Sequence, residues 1–251
     1  MLLKKTKDIF FHTSQITCIA TSLYGLISHD IKWPVFFFIY CACFFTYNFE
    51  RVYQSSPEDS FNHPERLKFL NSHKKLIQCL CILSLLFCLL FSNALNSQQW
   101  LILIIAASPT FLYLSPRLLF TQKRLKEIYL AKEFSIALSW ALITAVLPQS
   151  SFKPSYFFLC FALAFINVVC CDIHDSAGDK KHRIKTLANH YTNIGTIVTS
   201  ACLLLIIVSF LSESYGFSLA FIHILISSRR QAPNYQYDLA LIWPALYRLF
   251  Q

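Results

Sequence analysis

The chain has 251 residues, of which 55% are hydrophobic and only 14% are charged, and its mean hydropathy is +0.48. Soluble domains carry about 25% charged residues, so this composition argues against a soluble protein and indicates a membrane protein. With 4 glycines and 9 prolines, the chain is neither collagen-like nor disordered. The net charge of +9 comes from cations in short segments between apolar runs, which argues against a nucleic-acid partner.

Nine apolar runs follow one another along the chain. Each is a candidate transmembrane helix, because a span needs about 20 mostly apolar residues. In chain order, the runs cover residues 9–28, 33–49, 76–94, 99–114, 132–147, 155–173, 193–211, 217–228 and 237–250. We therefore predict an all-α polytopic membrane protein with about nine transmembrane helices, organised as a single integral-membrane domain over residues 1–251.

The positions of the lysines and arginines predict the orientation of the chain, because cytoplasmic loops of membrane proteins carry an excess of these residues. With a cytoplasmic N-terminus, all of the 22 lysines and arginines except Lys32, Lys153 and Arg248 fall on the inside. The C-terminus is then outside. Three loops that mix acids with bases become cytoplasmic: 50–75, 115–131 and 172–192. Ionisable groups gather in these loops, so we expect the functional site there.

The last of these loops begins with three aspartates, Asp172, Asp175 and Asp179, at spacings that place them on one stripe of a helix. Their charges repel one another, and a bridging cation would offset that repulsion. Carboxylates completed by phosphate oxygens suit Mg²⁺. Four cations follow at once and are candidates to hold phosphate charge: Lys180, Lys181, Arg183 and Lys185. The alternative is a solvated helix end whose acids pair with these neighbouring cations.

The run DIHDSAGDKKHRIKTL, residues 172–187, resembles the second aspartate-rich motif of the UbiA family of membrane prenyltransferases. The resemblance implies a bundle of nine helices with aspartate-rich motifs after the second and sixth. It implies Mg²⁺-assisted ionisation of a prenyl diphosphate and transfer of the prenyl group to an acceptor. Asp172, Asp175 and Asp179 would be catalytic metal ligands, and Lys181 would contact the diphosphate.

The first motif of this family, Asn-x-x-x-Asp-x-x-x-Asp, is only partly present in the matching stretch, residues 46–54. In one register the surviving carboxylate is Glu50, while threonine and glutamine occupy the other two positions. A second register uses Asn48 and leaves Val52 at an acidic position. The resemblance implies that Glu50 is a further catalytic metal ligand and that Arg51 binds the diphosphate.

The stretch from Tyr113 to Arg117 resembles a Tyr-x-x-x-Lys element of the same family, with arginine in the place of lysine. The resemblance implies that both residues contact the diphosphate, which arginine can grip bidentately. Positive-inside anchoring is the alternative explanation for cations in this loop.

Two functions remain open at this point. One is a UbiA-like intramembrane prenyltransferase that uses Mg²⁺ and transfers an isoprenyl group from a prenyl diphosphate to an aromatic, quinone-precursor or other lipophilic acceptor. The other is a catalytically impaired relative that binds or moves an isoprenoid lipid, which the incomplete first motif favours. Both have membrane lipid as a partner. An unrelated transporter is disfavoured, because helices broken at glycine or proline in two repeated halves are not evident.

Overall fold

The computed structural model describes residues 9–26, 33–53, 57–114, 125–148 and 152–251. Within these ranges the regular elements are helices, and no β-strand is found among them. The helices are α1 Gln15–Leu23, α2 Trp33–Tyr53, α3 Pro57–Asn62, α4 Pro64–Ser72, α5 Lys74–Phe91, α6 Ser97–Leu114, α7 Ala131–Ala141, α8 Pro154–Lys181, α9 Leu187–His190, α10 Ile194–Leu211, α11 Tyr215–Arg229, α12 Asn234–Ala240 and α13 Trp243–Leu249.

The nine apolar runs coincide in chain order with α1, α2, α5, α6, α7, α8, α10, α11 and the pair α12 and α13. The prediction of an all-α membrane bundle is confirmed. The fifth run forms α7 and then a π-helical turn, Leu142–Val146. The ninth run divides before Trp243, and Pro244 begins the second piece, where the missing N–H of proline is tolerated. Four of the described helical segments are long and apolar enough to cross a membrane: Trp33–Tyr53, Lys74–Ala94, Pro154–Lys181 and Ile194–Leu211.

Helix α8 is the central element of the bundle. It packs against α7, α10, α11 and α12, and the short helices α3 and α9 lie against its C-terminal part. Its side chains Leu159, Cys160 and Leu163 are almost completely buried. In contrast, α5 and α10 expose rows of leucine and isoleucine, which is the surface expected to face lipid acyl chains.

The site depends on the length of α8. The helix has 28 residues and continues to Lys181, well past the apolar run that predicted it. Because a span of about 20 residues crosses the hydrocarbon core, the last turns of α8 extend beyond the apolar part of the helix. The short helix α3 packs beside these turns.

Candidate active site

The three predicted aspartates lie on the C-terminal part of α8. Asp172 and Asp179 are buried, with 2% and 4% of their surfaces exposed, while the Asp175 side chain is 23% exposed. Burying a carboxylate is costly unless a cation or hydrogen bonds compensate its charge. The partners of these carboxylates therefore define the site.

Asp172 is paired with Lys132, which lies in the first turn of α7. The Lys132 Nζ is 2.5 Å from Asp172 Oδ1. The other carboxylate oxygen of Asp172, Oδ2, is buried and has no hydrogen-bond partner among the described residues. Asp172 therefore presents one oxygen whose hydrogen-bonding capacity is not used within the described part of the chain.

Asp175 is paired with His63, the residue between α3 and α4. The His63 Nε2 is 3.0 Å from Asp175 Oδ1. The preceding residue, Asn62, donates its Nδ2 hydrogen to the backbone oxygen of Asp175 at 3.0 Å. Asn62 also accepts a hydrogen bond from the backbone N–H of Gly178, with 3.0 Å between Oδ1 and the nitrogen. One asparagine thus fastens α3 to the backbone of the acidic motif.

Gly178, in the acidic motif, has no room for a side chain. A Cβ atom added at Gly178 would lie 2.2 Å from the Asn62 Oδ1 and 2.6 Å from its Cγ. Atoms cannot approach so closely, and the side chain in the way is the one that fastens α3. Gly178 is therefore required by the docking of Asn62, whereas its own backbone is ordinary helix.

The end of α2 contributes Glu50 and Arg51. Arg51 donates a hydrogen bond from Nη1 to the Ser14 Oγ at 2.7 Å, and its guanidinium carbon lies 5.7 Å from the centre of the Tyr47 ring. The backbone oxygen of His12 is a further, longer acceptor for the same Nη1, at 3.5 Å. These contacts hold the Arg51 guanidinium between α2 and the segment before α1.

Arg66, in α4, forms an ion pair with Asp59 of α3. Its Nη2 is 3.0 Å from Asp59 Oδ1, and it interacts electrostatically with Arg51, Glu50 and Asp175. Burial, followed by the positive charge of Arg51, lowers the pKa of Arg66 to about 10, against the opposing effect of the carboxylates. Arg66 therefore stays charged at neutral pH.

The other predicted diphosphate ligands are not brought to the carboxylates in the described part of the chain. The ammonium group of Lys181 lies 4.6 Å from the centre of the Phe61 ring, a cation–π contact with α3. The backbone of Tyr113 belongs to the last turn of α6, but its side chain lies outside the described residues. Arg117 lies outside them too.

The residues present fit a Mg²⁺ ion at the second motif better than at the first. Mg²⁺ is usually held by one or two carboxylates together with phosphate oxygens and water. Asp172 and Asp175 offer such carboxylates one turn apart, and the buried Asp172 Oδ2 has capacity to coordinate. Glu50 instead lies beside Arg51. Within the described ranges, no group of three or more His, Cys, Asp or Glu side chains is close enough to share one metal ion.

Several residues of this region were not identified from the sequence. Glu133 is fully buried, and its Oε1 accepts the Leu187 N–H at 3.0 Å, which ties the start of α7 to α9. Asp238 lies in α12, which packs against α1 and α8. Both residues could have been found from the sequence. Each is an acid within or at the edge of an apolar run, and an ionisable residue in a membrane span is a candidate functional residue.

Comparison with known proteins supports the fold. No protein-family model matches the sequence, and no curated protein matches it. The chain is similar to a UbiA homolog from Archaeoglobus fulgidus, solved bound to GPP and Mg²⁺, with a TM-score of 0.66 and 14% identity over 97% of each chain. It is also similar to a digeranylgeranylglyceryl phosphate synthase, with a TM-score of 0.58 and 15% identity over 99% of this chain and 100% of the other. The protein thus has the helical fold of UbiA-type integral membrane prenyltransferases.

Proposed function

We propose that this protein is a Mg²⁺-dependent intramembrane prenyltransferase of the UbiA type. It transfers an isoprenyl group from a prenyl diphosphate to an aromatic, quinone-precursor or other lipophilic acceptor. The observation that supports this most is the meeting of two carboxylates on α8 with Lys132 of α7 and with His63, the residue between α3 and α4. This cluster lies in a fold shared with a protein solved with GPP and Mg²⁺.

In the proposed site, Asp172 and Asp175 would hold Mg²⁺ together with phosphate oxygens and water, and the family resemblance assigns Asp179 and Glu50 as further ligands. When bound, the ion stabilises the charge that develops on the departing diphosphate. Other residues of the chain hold these carboxylates in place before the substrate binds. Lys132 compensates the buried charge of Asp172, and the short helices fastened by Asn62 hold the cluster together.

The diphosphate itself is bound by cations. Arg51, already oriented by Ser14, donates charge-assisted hydrogen bonds to phosphate oxygens, which are roughly twice as strong as neutral ones. Tyr113, Arg117 and Lys181 are assigned to the same role by the family resemblance. The prenyl chain extends from the diphosphate into the apolar bundle, where the absence of water protects the allylic cation from hydrolysis.

The proposed orientation places the N-terminus and the loops of the acidic motifs in the cytoplasm and the C-terminus outside. The distribution of lysine and arginine supports it, since only three of these cations fall on the outside. The whole chain acts as one membrane domain, and the prenyl diphosphate enters from the cytoplasmic side.

A second candidate function is binding or movement of an isoprenoid lipid without catalysis. The incomplete first motif favours it, because Glu50 is the one acid at the three family positions in residues 46–54. This candidate predicts that prenyl diphosphate binds and is released unchanged, whereas a transferase cleaves it.

The test uses the purified full-length protein in nanodiscs with geranyl diphosphate. The prenyltransferase proposal predicts Mg²⁺-dependent binding followed by release of pyrophosphate, and loss of both in Asp175→Asn. The Glu213→Gln variant removes an exposed acid from the loop between α10 and α11 and is the matched control, expected to behave like the parent. Binding without pyrophosphate release would favour the second candidate. Absence of binding would overturn both.

A further inference from the structure

Helix α13 is held close against α11 at the end of the bundle where α8 begins. A Cβ atom added at Gly216, in the first turn of α11, would lie 2.8 Å from the Pro244 Cα of α13. A side chain at this position would collide with the backbone of α13, so glycine allows the two helices to touch. Their contact fixes the position of Arg248, which lies in the last turn of α13.

The guanidinium group of Arg248 lies over an aromatic ring. Its Cζ atom is 4.3 Å from the centre of the Tyr156 ring, a distance at which a cation is attracted to the face of the ring. Tyr156, in the first turn of α8, is 5% exposed, and its ring meets that of the buried Phe217 edge to face at 5.2 Å. The ring beneath the guanidinium is therefore rigidly held, and it keeps the partly buried guanidinium in one place.

The N–H donors of Arg248 have no protein acceptor among the residues that the structure describes, where its side chain forms neither an ion pair nor a hydrogen bond. The Tyr156 ring attracts the positive charge, but it leaves unused the N–H donors that lie in the plane of the guanidinium. An anion that accepts these donors stabilises a guanidinium that is partly removed from water. The geometry of Arg248 therefore favours a ligand with negatively charged oxygens, which a phosphate group supplies bidentately.

A second cation lies at the same end of the bundle. Lys153 is exposed and immediately precedes α8, one helical turn before Tyr156, so its long side chain can reach the space beside that ring. In the proposed orientation, Lys153 and Arg248 are two of the three lysines and arginines outside the cytoplasm. The excess of cations in cytoplasmic loops therefore does not explain their positions.

The neighbouring side chains indicate that this end of the bundle lies at the level of the lipid headgroups. Tyr215 of α11 and Tyr247 of α13 form an edge-to-face pair with ring centres 6.0 Å apart, and Tyr215 is exposed. Tyrosine is enriched where a membrane meets water, because its ring is apolar and its hydroxyl is polar. The phosphate groups of phospholipids are the anions that a membrane offers at this level.

We propose that Arg248 and Lys153 bind the phosphate group of an anionic phospholipid at this end of the bundle. The site is separate from the acidic motif, because α8 rises roughly 24 Å between Tyr156 and Asp172. Two cations without an ion pair in the described part of the chain favour a headgroup with a net negative charge, such as phosphatidylglycerol, over zwitterionic phosphatidylcholine. This binding does not require prenyltransferase activity.

Photo-crosslinking identifies the lipid that lies beside Arg248. Phe250, which is 87% exposed, is replaced with p-benzoylphenylalanine, and the purified full-length protein is placed in nanodiscs with equal parts of phosphatidylglycerol and phosphatidylcholine. Phosphatidylglycerol should exceed phosphatidylcholine among the crosslinked lipids by roughly fivefold or more, because each cation near a membrane surface favours an anionic lipid by about that factor. Equal amounts of the two crosslinked lipids would overturn the inference.

Three variants separate a phosphate site from the general charge of the protein surface. Arg248→Gln should lower the preference for phosphatidylglycerol about fivefold, and the addition of Lys153→Gln should abolish it. Arg230→Gln removes the same charge from an exposed position after α11, at the other end of the bundle. It is the matched control and should retain the preference of the parent. A preference that persists in the double variant, or that falls equally in Arg230→Gln, would overturn the inference.

Two further measurements separate a lipid from a soluble ion and a ligand site from a structural contact. Inorganic phosphate at millimolar concentration should leave the crosslinked lipids unchanged, and loss of the preference would overturn the inference, because the site would then take free phosphate. In detergent, added phosphatidylglycerol should stabilise the parent against unfolding by sodium dodecyl sulfate more than it stabilises Arg248→Gln. Equal stabilisation of both proteins would overturn the inference, because Arg248 would then act only through its contact with Tyr156.

Discussion

The contact between Asn62 and Gly178 predicts that Gly178→Ala lowers the free energy of unfolding in the parent but raises it in an Asn62→Ala background. Gly178→Ala adds a Cβ atom 2.2 Å from the Asn62 Oδ1, so Asn62 must leave its place. Both of its hydrogen bonds to the α8 backbone are then lost. At about 1 kcal/mol for each bond between neutral groups, the free energy of unfolding falls by about 2 kcal/mol.

A second effect opposes this loss. Alanine within a helix is more favourable than glycine by roughly 0.5–1 kcal/mol, and Gly178 has ordinary helical geometry. Gly178→Ala in the parent should therefore lower the free energy of unfolding by about 1–1.5 kcal/mol. In an Asn62→Ala background the obstructing side chain is absent and its bonds are already lost. There, the same substitution should raise stability by roughly 0.5–1 kcal/mol.

Unfolding of the purified variants by sodium dodecyl sulfate, followed by tryptophan fluorescence, measures the four stabilities of this cycle. The predicted coupling between the two positions is about 2 kcal/mol, which is large for residues that would otherwise behave additively. Hydrogen exchange locates the effect, and residues 57–72 should exchange faster in Gly178→Ala than in the parent. Equal effects of Gly178→Ala in both backgrounds would refute the docking of α3 through Asn62.

Three further predictions follow from the sequence and the site. Lys132→Met leaves the carboxylate of Asp172 buried without its cation, so the free energy of unfolding should fall by roughly 3 kcal/mol in the same denaturation assay. Adding Asp172→Asn should restore much of that stability. If it restores none, the ion pair is not what stabilises the contact between α7 and α8. Glu133→Ala leaves the partly buried N–H of Leu187 without its acceptor and should cost about 1 kcal/mol. An unchanged stability would show that α9 is held by other contacts. Arg117→Ala should weaken geranyl diphosphate binding roughly tenfold to hundredfold and Arg117→Lys should recover much of it, while wild-type affinity in Arg117→Ala would return this residue to the role of a topological anchor.

The helices of the membrane bundle could be predicted from the sequence because each one corresponds to a continuous apolar run of neighbouring residues. Each apolar run is long enough to demand a helix, and each lies where the structure has one. The stripe of Asp172, Asp175 and Asp179 was equally visible, since helical spacing alone places the three on one side. The extension of α8 to Lys181 was not part of the predicted span, which ended with the apolar residues at 173.

The partners of these aspartates could not be predicted, because they come from distant parts of the chain. Lys132 reaches Asp172 from α7, and Asn62 reaches the backbone of α8 across more than one hundred residues of sequence. Their positions depend on how the helices pack against one another, and the periodicity of apolar residues in the sequence does not predict that packing. Gly178 belongs to the run that resembles the family motif, but the reason for a glycine there became visible only with the position of Asn62. The predicted metal ligands remain a prediction.

The most direct test of the central claim is whether the geranyl group moves to another molecule. Membranes containing the parent protein are incubated with geranyl diphosphate labelled in its hydrocarbon chain and Mg²⁺, and the lipid extract is separated by chromatography. A prenyltransferase should form labelled lipid products distinct from geraniol in membranes with the parent protein, and none in Asp175→Asn membranes of equal protein content. Recovery of the label only as geranyl diphosphate or geraniol in both would contradict a prenyltransferase function.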